Sequence, residues 1–193
     1  GDARVGEVMS ECHAVATYTW GDPATQPYVL FSHGWSSFGL RCRPWIAPLR
    51  EAGCDVVLGI GGGSVMDAAK GVAILATNGG GILDYVGVDR VTRPIPPTVM
   101  VPTTAGTGAD VSQFCIVTDT ERATKVTILG RALVPDVTVI DPRLLTTMPE
   151  WLGAASGLDA LTHGVEAYVS LAHNPLTDHH ALRAVGLVSE SLT

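Results

Sequence analysis

Along the 193-residue chain, short fully apolar runs alternate with stretches whose apolar residues recur every three or four positions. The first pattern suits a strand buried on both faces, the second a helix. Tyr28-Val29-Leu30-Phe31 behind Pro27 predicts one strand, Val56–Ile60 a second, and Thr98–Val101 a third that ends at Pro102. Phe114–Thr118 and Val137–Ile140 complete the set. Arg43–Ala52, with Pro44 in its first turn, reads as a helix, and so does the stretch from Val65 to about Thr77. Strands spaced by helices and loops predict an α/β layer with parallel strands. From Trp151 onward the β-branched runs stop, and Ser156–Ser170 and Pro175–Leu192 read as helices. The composition shift near 150 is a candidate domain boundary. Two helices cannot enclose a core, so this second domain reads as incomplete, with the pattern still running at Thr193.

Composition narrows the class. Hydrophobic residues make up 46%, enough for a full core, while charged residues are only 16%. Twenty-two glycines and 12 prolines imply many tight turns. The formal net charge of −7 argues against a nucleic-acid surface, which needs a basic face. No apolar run approaches the length of a membrane-spanning helix, and Gly1–Ser10 lacks the charged-then-apolar layout of a signal peptide. Cys12, Cys42, Cys54 and Cys115 form no C-x-x-C pair, which disfavours a zinc knuckle or a thioredoxin-type site. They read as free thiols in a reducing cytoplasm.

Candidate chemistry gathers at three places. Gly61-Gly62-Gly63-Ser64-Val65-Met66-Asp67 lies between a strand and a helix. Glycines there admit close backbone approach, Ser64 suits an N-cap, and Asp67 three positions on completes a capping-box-like pair. The free amides of such a helix start can bind an anion, although the spacing equally fits a plain βα turn. Lys70, one turn further, reads as part of a solvated helix face. Behind the third strand, Pro102-Thr103-Thr104-Ala105-Gly106-Thr107-Gly108 offers three hydroxyls for polar ligand contacts, or simply turn chemistry. Third, Asp159 and His163 stand at i and i+4 on one helix face and could make half of a divalent-metal site, with Glu166 close to the same face. Ser156 and Asp159 also fit a capping box, and His163 could be a core histidine. His173, His179 and His180 follow, the last two directed to different faces of one helix.

Taken in order, these segments resemble the iron-dependent, or group III, alcohol dehydrogenases from about Arg50 to the end of the chain. The resemblance is carried by Gly61-Gly62-Gly63-Ser64-Val65-Met66-Asp67-Ala68-Ala69-Lys70, the Pro102–Gly108 segment, Val139-Ile140-Asp141-Pro142, Asp159-Ala160-Leu161-Thr162-His163 and Asn174-Pro175-Leu176-Thr177-Asp178. It implies a Rossmann-like, parallel-sheet dinucleotide-binding layer followed by the beginning of an all-helical metal-binding domain. It also implies that Gly62, Gly63, Ser64 and Asp67 hold the diphosphate of NAD or NADP, and that Thr103, Thr104, Thr107 and Lys125 contact the cofactor. Asp159 and His163 match the first two metal ligands. The family's two further histidines lie beyond Thr193, so an iron or zinc ion would be weakly held.

Residues 1–49 resemble instead the start of an α/β-hydrolase, through Tyr28–Trp35, Arg43-Pro44-Trp45 and Leu49-Arg50, with His33-Gly34 as an oxyanion-type turn. The expected organisation is therefore 1–49 hydrolase-like, 50–150 dinucleotide-binding and 151–193 incomplete helical metal-binding, as in a rearranged or fused gene. The leading function is hydride transfer between a primary or secondary alcohol and a nicotinamide cofactor, with no side chain required as a general base. One alternative is a serine esterase with Ser64, His163 and Asp141 or Asp159 as a triad, although no G-x-S-x-G elbow occurs. A non-catalytic remnant is the other. The partners expected are a small alcohol or aldehyde and further copies of the chain, with no nucleic acid and no membrane.

Overall fold

The computed structural model describes residues 16–20, 29–33, 56–119 and 121–192, with side chains from residue 56 onward. The expected helix over Arg43–Ala52, Tyr28, Gly34 of the expected His33-Gly34 turn, Trp35 and Cys12, Cys42 and Cys54 lie outside these residues. The described strands are β1 (Ala16–Trp20), β2 (Val29–His33), β3 (Val56–Gly61), β4 (Gly87–Val88), β5 (Thr98–Pro102), β6 (Phe114–Asp119), β7 (Thr124–Leu129) and β8 (Val137–Thr138). The helices are α1 (Gly63–Asn78), α2 (Glu150–Val169) and α3 (Pro175–Ser191). By contact, the chain divides into two compact units, one holding Pro102 and everything before it together with Ala109–Asp141, the other Thr103–Gly108 together with Pro142–Thr193.

In the first unit a five-stranded sheet runs β1-β2-β3-β5-β8, parallel except where β1 pairs antiparallel with β2. β3 and β5 alternate half-buried with buried positions, and Val57, Met100 and Thr98 are fully buried. The crossover between these two strands is α1, buried at every position from Val65 to Leu75. Such a helix is covered all round, which is why its sequence lacks a polar stripe. A second, three-stranded sheet, β4-β7-β6, covers another side of α1 with Cys115, Val117 and Ile128. Its β6–β7 hairpin is antiparallel, and Asp119 sets the turn by accepting the Glu121 and Arg122 amides on Oδ1.

Several expectations need correcting. The strand expected over Val137–Ile140 stops at Thr138: the Val139 amide still donates to the Met100 carbonyl, but the chain then turns at Pro142 into a 3-10 helix. The strands are not all parallel. β7, with its polar–apolar alternation Thr124-Lys125-Val126-Thr127-Ile128-Leu129, was not anticipated.

The second unit is a helix pair with the Thr103–Gly108 loop. α2 begins at Glu150, six residues before the predicted Ser156, so Ser156 is no cap: it lies buried inside the helix and its hydroxyl donates to the Gly153 carbonyl. α3 begins as its sequence indicates. Asn174 Oδ1 accepts the Leu176 and Thr177 amides, Thr177 Oγ1 accepts the Asn174 amide, and Pro175 occupies the first turn. The helices cross closely at Gly164, where a Cβ would stand 2.9 Å from Val185 Cγ2 and 3.2 Å from the Ala181 carbonyl oxygen.

This packing separates two glycines of the same helix pair. Gly164→Leu is expected to force the helices apart and to destabilise the protein by about 1–3 kcal/mol. Gly186→Ala, with nothing within 4 Å of the new Cβ, is expected to stabilise it by roughly 0.5–1 kcal/mol. Urea unfolding of both variants checks the pair; equal midpoints would contradict the close crossing.

Candidate functional site

The end of β3 and the start of α1, both in the first unit, build the anion-competent site. β3 ends at Gly61, where a side chain would collide with Val65, its Cβ lying 2.7 Å from Val65 Cβ and Cγ2. Gly62 is the N-cap of α1, extended and without a side-chain cap, and its carbonyl accepts the Val65 and Met66 amides at 3.0 and 3.2 Å. Ser64 is therefore the second residue of the helix and not its cap, correcting the capping expectation. It is exposed, while Gly62 and Gly63 are half-buried. The Gly63 and Ser64 amides have no acceptor inside the helix and stand at the positive end of a 16-residue dipole. An oxyanion fits such a position.

Asp67 behaves differently from its loop neighbours. It is only 7% exposed, and its Oδ1 is buried without a hydrogen-bond partner. Burial pushes its carboxyl up to about 6, against the opposing pull of the Lys70 charge. Lys70 is not on a solvated face: it is wholly buried, and its Nζ donates to the carbonyls of Ser112 and Phe114, both at 2.8 Å. Burial pulls its ammonium down from the usual lysine range, while Asp67, Cys115 and Asp110 act the other way. The Cys115 thiol, buried, donates to the Asp67 carbonyl at 3.1 Å, and burial pushes its pKa well above the ordinary value. A buried Asp–Lys–Cys cluster thus lies behind the loop. It was missed by sequence reasoning, yet it carried a signal: a lysine inside an eleven-residue buried run has no face left on which to be solvated.

Lys125 is exposed on β7, opposite Thr118 of β6. In the second unit Thr103 and Thr104 are half-buried and Thr107 is exposed. On α2, Asp159 Oδ2 and His163 Nε2 approach to 3.7 Å, with side chains 49% and 57% exposed. That separation is near the ~3.4 Å expected of two ligands around one tetrahedral ion, so this O/N donor pair fits half of a metal site. The helpers considered for it do not join. His173 pairs with Asp178 at 3.1 Å, the rings of His179 and His180 meet edge to face, and Glu166 stays exposed. No group of three or more His, Cys, Asp or Glu side chains able to hold a metal occurs among the described residues. For the esterase alternative, no G-x-S-x-G elbow surrounds Ser64, and Ser64 and Asp141 belong to the first unit whereas Asp159 and His163 belong to the second. No helix among the described residues has the length and apolarity to cross a membrane.

Comparison with known proteins agrees with the resemblance. The family model "Iron-containing alcohol dehydrogenase" matches residues 42–142, and "Fe-containing alcohol dehydrogenase family, C-terminal" matches 153–193. The first match starts at Cys42, so Arg43-Pro44-Trp45, read above as hydrolase-like, falls inside it. The chain is 46% identical over 144 residues to alcohol dehydrogenase 4 of Schizosaccharomyces pombe, covering 75% of this chain and 34% of that protein. It is 43% identical over 150 residues to a 1,3-propanediol dehydrogenase of Klebsiella pneumoniae, covering 78% and 39%. Among solved structures, a 1,3-propanediol oxidoreductase superposes with a TM-score of 0.75 at 42% identity, over 80% of this chain and 40% of the other. A sulfoacetaldehyde reductase from Bifidobacterium kashiwanohense in complex with NAD+ gives 0.72 at 30% identity, over 82% and 43%. The chain thus spans between a third and two fifths of the length of the curated relatives described here.

The buried Asp67 makes stability depend on pH. Its folded pKa of about 6 stands above the ordinary 3.8, so its contribution is fully present below about pH 3.8 and is lost as pH rises through about 6. The loss amounts to roughly 2–3 kcal/mol. Asp67→Asn is expected to flatten the fall in urea-unfolding free energy between about pH 4 and 6.5; an unchanged slope would place the titration elsewhere.

Proposed function

Because the chain belongs to the iron-containing alcohol dehydrogenase family, we propose that it takes part in NAD(P)-linked, metal-assisted interconversion of a small primary or secondary alcohol and its aldehyde or ketone. The observation that carries this reading is the glycine-capped start of α1, whose open Gly63 and Ser64 amides suit a dinucleotide diphosphate. Lys125 adds a positive charge to the same cofactor, and Thr103, Thr104 and Thr107 offer it hydroxyls. The buried Asp67 supports the loop from beneath. Asp159 and His163 would hold the divalent ion on the face of α2. When bound, the nicotinamide would supply the hydride acceptor and the ion the Lewis acidity that favours the alkoxide. Residues 50–150 then serve as the dinucleotide-binding part and 151–193 as part of the metal-binding helical domain. Among relatives, one curated protein is named an NAD-dependent methanol dehydrogenase and one solved structure holds NAD+, which supports the cofactor class. A cytoplasmic setting follows from the same cofactor use.

Self-association belongs to this reading as well. α2 and α3 leave Trp151, Leu158, Val169, Leu176 and Leu182 more than half exposed, and apolar surface of this kind draws in a partner.

The decisive test is NADH fluorescence titration, alongside Ser64→Asp. A carboxylate at the second residue of α1 would oppose the diphosphate and is expected to weaken binding by about tenfold or more. If the unaltered chain binds no NADH, the reading fails. For the 193-residue chain by itself, where no third His, Cys, Asp or Glu joins Asp159 and His163 among the described residues, iron or zinc is expected to fall well below one equivalent after desalting. Near-stoichiometric metal that disappears in His163→Ala would instead mean that other groups complete the site.

A further inference from the structure

The ammonium of Lys70 does more than fill space under α1. It reaches the carbonyls of Ser112 and Phe114, which flank the root of the β6–β7 hairpin. The neighbouring Cys115 thiol ties the same root back to α1 through the Asp67 carbonyl. Polar bonds from a single turn of α1 therefore fasten the hairpin at its root, and Val117 and Ile128 pack against the same helix further along. At the other end, antiparallel pairing continues to Asp119 opposite Thr124, and Lys125 lies there opposite Thr118. In the turn, Glu121, Arg122 and Ala123 are exposed, with Ala123 at a positive φ of 51°.

An apolar side chain at position 70 would fill the volume but leave two part-buried carbonyls without their lysine donor. An ammonium satisfies both with freely rotating donors. The residue type thus answers to the hairpin's carbonyls and not to solvent.

We infer that Lys70 is a positioning residue for dinucleotide binding, its ammonium holding the β6–β7 hairpin on α1 so that Lys125 and the Gly63 and Ser64 amides converge on one anionic cofactor. This rests on the cofactor reading given above for Lys125 and the glycine loop. Lys70 itself touches no cofactor.

A double-mutant cycle on the 193-residue chain, read by NADH fluorescence titration, separates this role from a merely structural one. Lys125→Gln is expected to weaken NADH by about tenfold. Lys70→Met should weaken it by a similar factor, and the double variant should be no weaker than either single, because the Lys125 contact is already lost. Lys70→Arg, which keeps donors to the carbonyls, should recover most of the affinity. If Lys70→Met does not fold, Lys70→Gln takes its place in the cycle, since its amide still donates to one carbonyl. Unchanged NADH affinity in the position-70 variant, or a Lys125→Gln penalty that stays intact on top of it, overturns the positioning role and leaves the cofactor reading standing. Absence of NADH binding by the unaltered chain overturns both.

Discussion

A single ammonium group sits where the first unit is most crowded, and much of that unit's arrangement answers to it. α1 is buried from Val65 to Leu75, with the five-stranded sheet on one side and the β6–β7 hairpin on another. Putting a lysine into such a position costs several kcal/mol of lost hydration unless charge and donors are matched. Here two carbonyl oxygens at 2.8 Å take the donors, and Asp67 one turn earlier supplies the opposing charge. The pair is only partly reconciled. Asp67 Oδ1 has no donor, and its carboxyl titrates near 6 in place of 3.8. Removing either partner alone leaves the other charge buried, which typically costs about 3–5 kcal/mol, so neither residue is free to vary independently.

This constraint also explains the division of labour around the glycine loop. The cap is Gly62, which has no side chain to occupy the Gly63 and Ser64 amides, so these stay open at the front of the loop. Residues that would ordinarily support a helix start by capping are displaced inward or outward: Ser64 to the surface, Asp67 into the core. The three-residue spacing that suggested a capping box from Ser64 to Asp67 recurs from Asp67 to Lys70 as a buried charge pair behind the loop. Open amides in front and a fixed charge pair behind form one solution to presenting a backbone surface to an anion.

The apolar runs were a sound guide to strands because burial on both faces leaves no alternative for Val56–Ile60 or Thr98–Val101. The helices were legible too, and α3 most of all, since Asn174, Pro175 and Thr177 carry their capping roles in the sequence. The errors have physical causes. α2 starts early because Pro149 and Glu150 provide an adequate first turn, and Ser156 turned its hydroxyl to its own helix. β7 hid because a half-buried hairpin strand alternates polar and apolar residues while the neighbouring strands do not. Lys70 was misread because a charged residue defaults to solvent until its helix is known to be covered all round. For the candidate metal pair, spacing alone put Asp159 and His163 on one face, and their 3.7 Å approach agrees. The surrounding histidines were not legible in the same way: His173 is drawn to Asp178 by the geometry of the α3 cap, which no i, i+4 rule describes.

The chain's charge raises one further physical question: a molecule of net charge −7 is proposed to bind a dinucleotide whose diphosphate is also negative. The two are compatible because the relevant distances are short. At physiological salt the field of a distant carboxylate fades over about 8 Å, so the overall balance repels an extended polyanion but scarcely touches a diphosphate seated on a helix start. There the dominant groups are the Gly63 and Ser64 amides, which cost no reorganisation when the anion arrives. On the proposed reading, Lys125 would add one charge from the hairpin. A nucleic acid, by contrast, needs many phosphates neutralised over a wide face, and 12 basic against 19 acidic residues cannot supply it. The same net charge that disfavours one phosphate-bearing partner is therefore no obstacle to the other. The difference lies in how few groups the smaller ligand needs and how firmly α1 holds them.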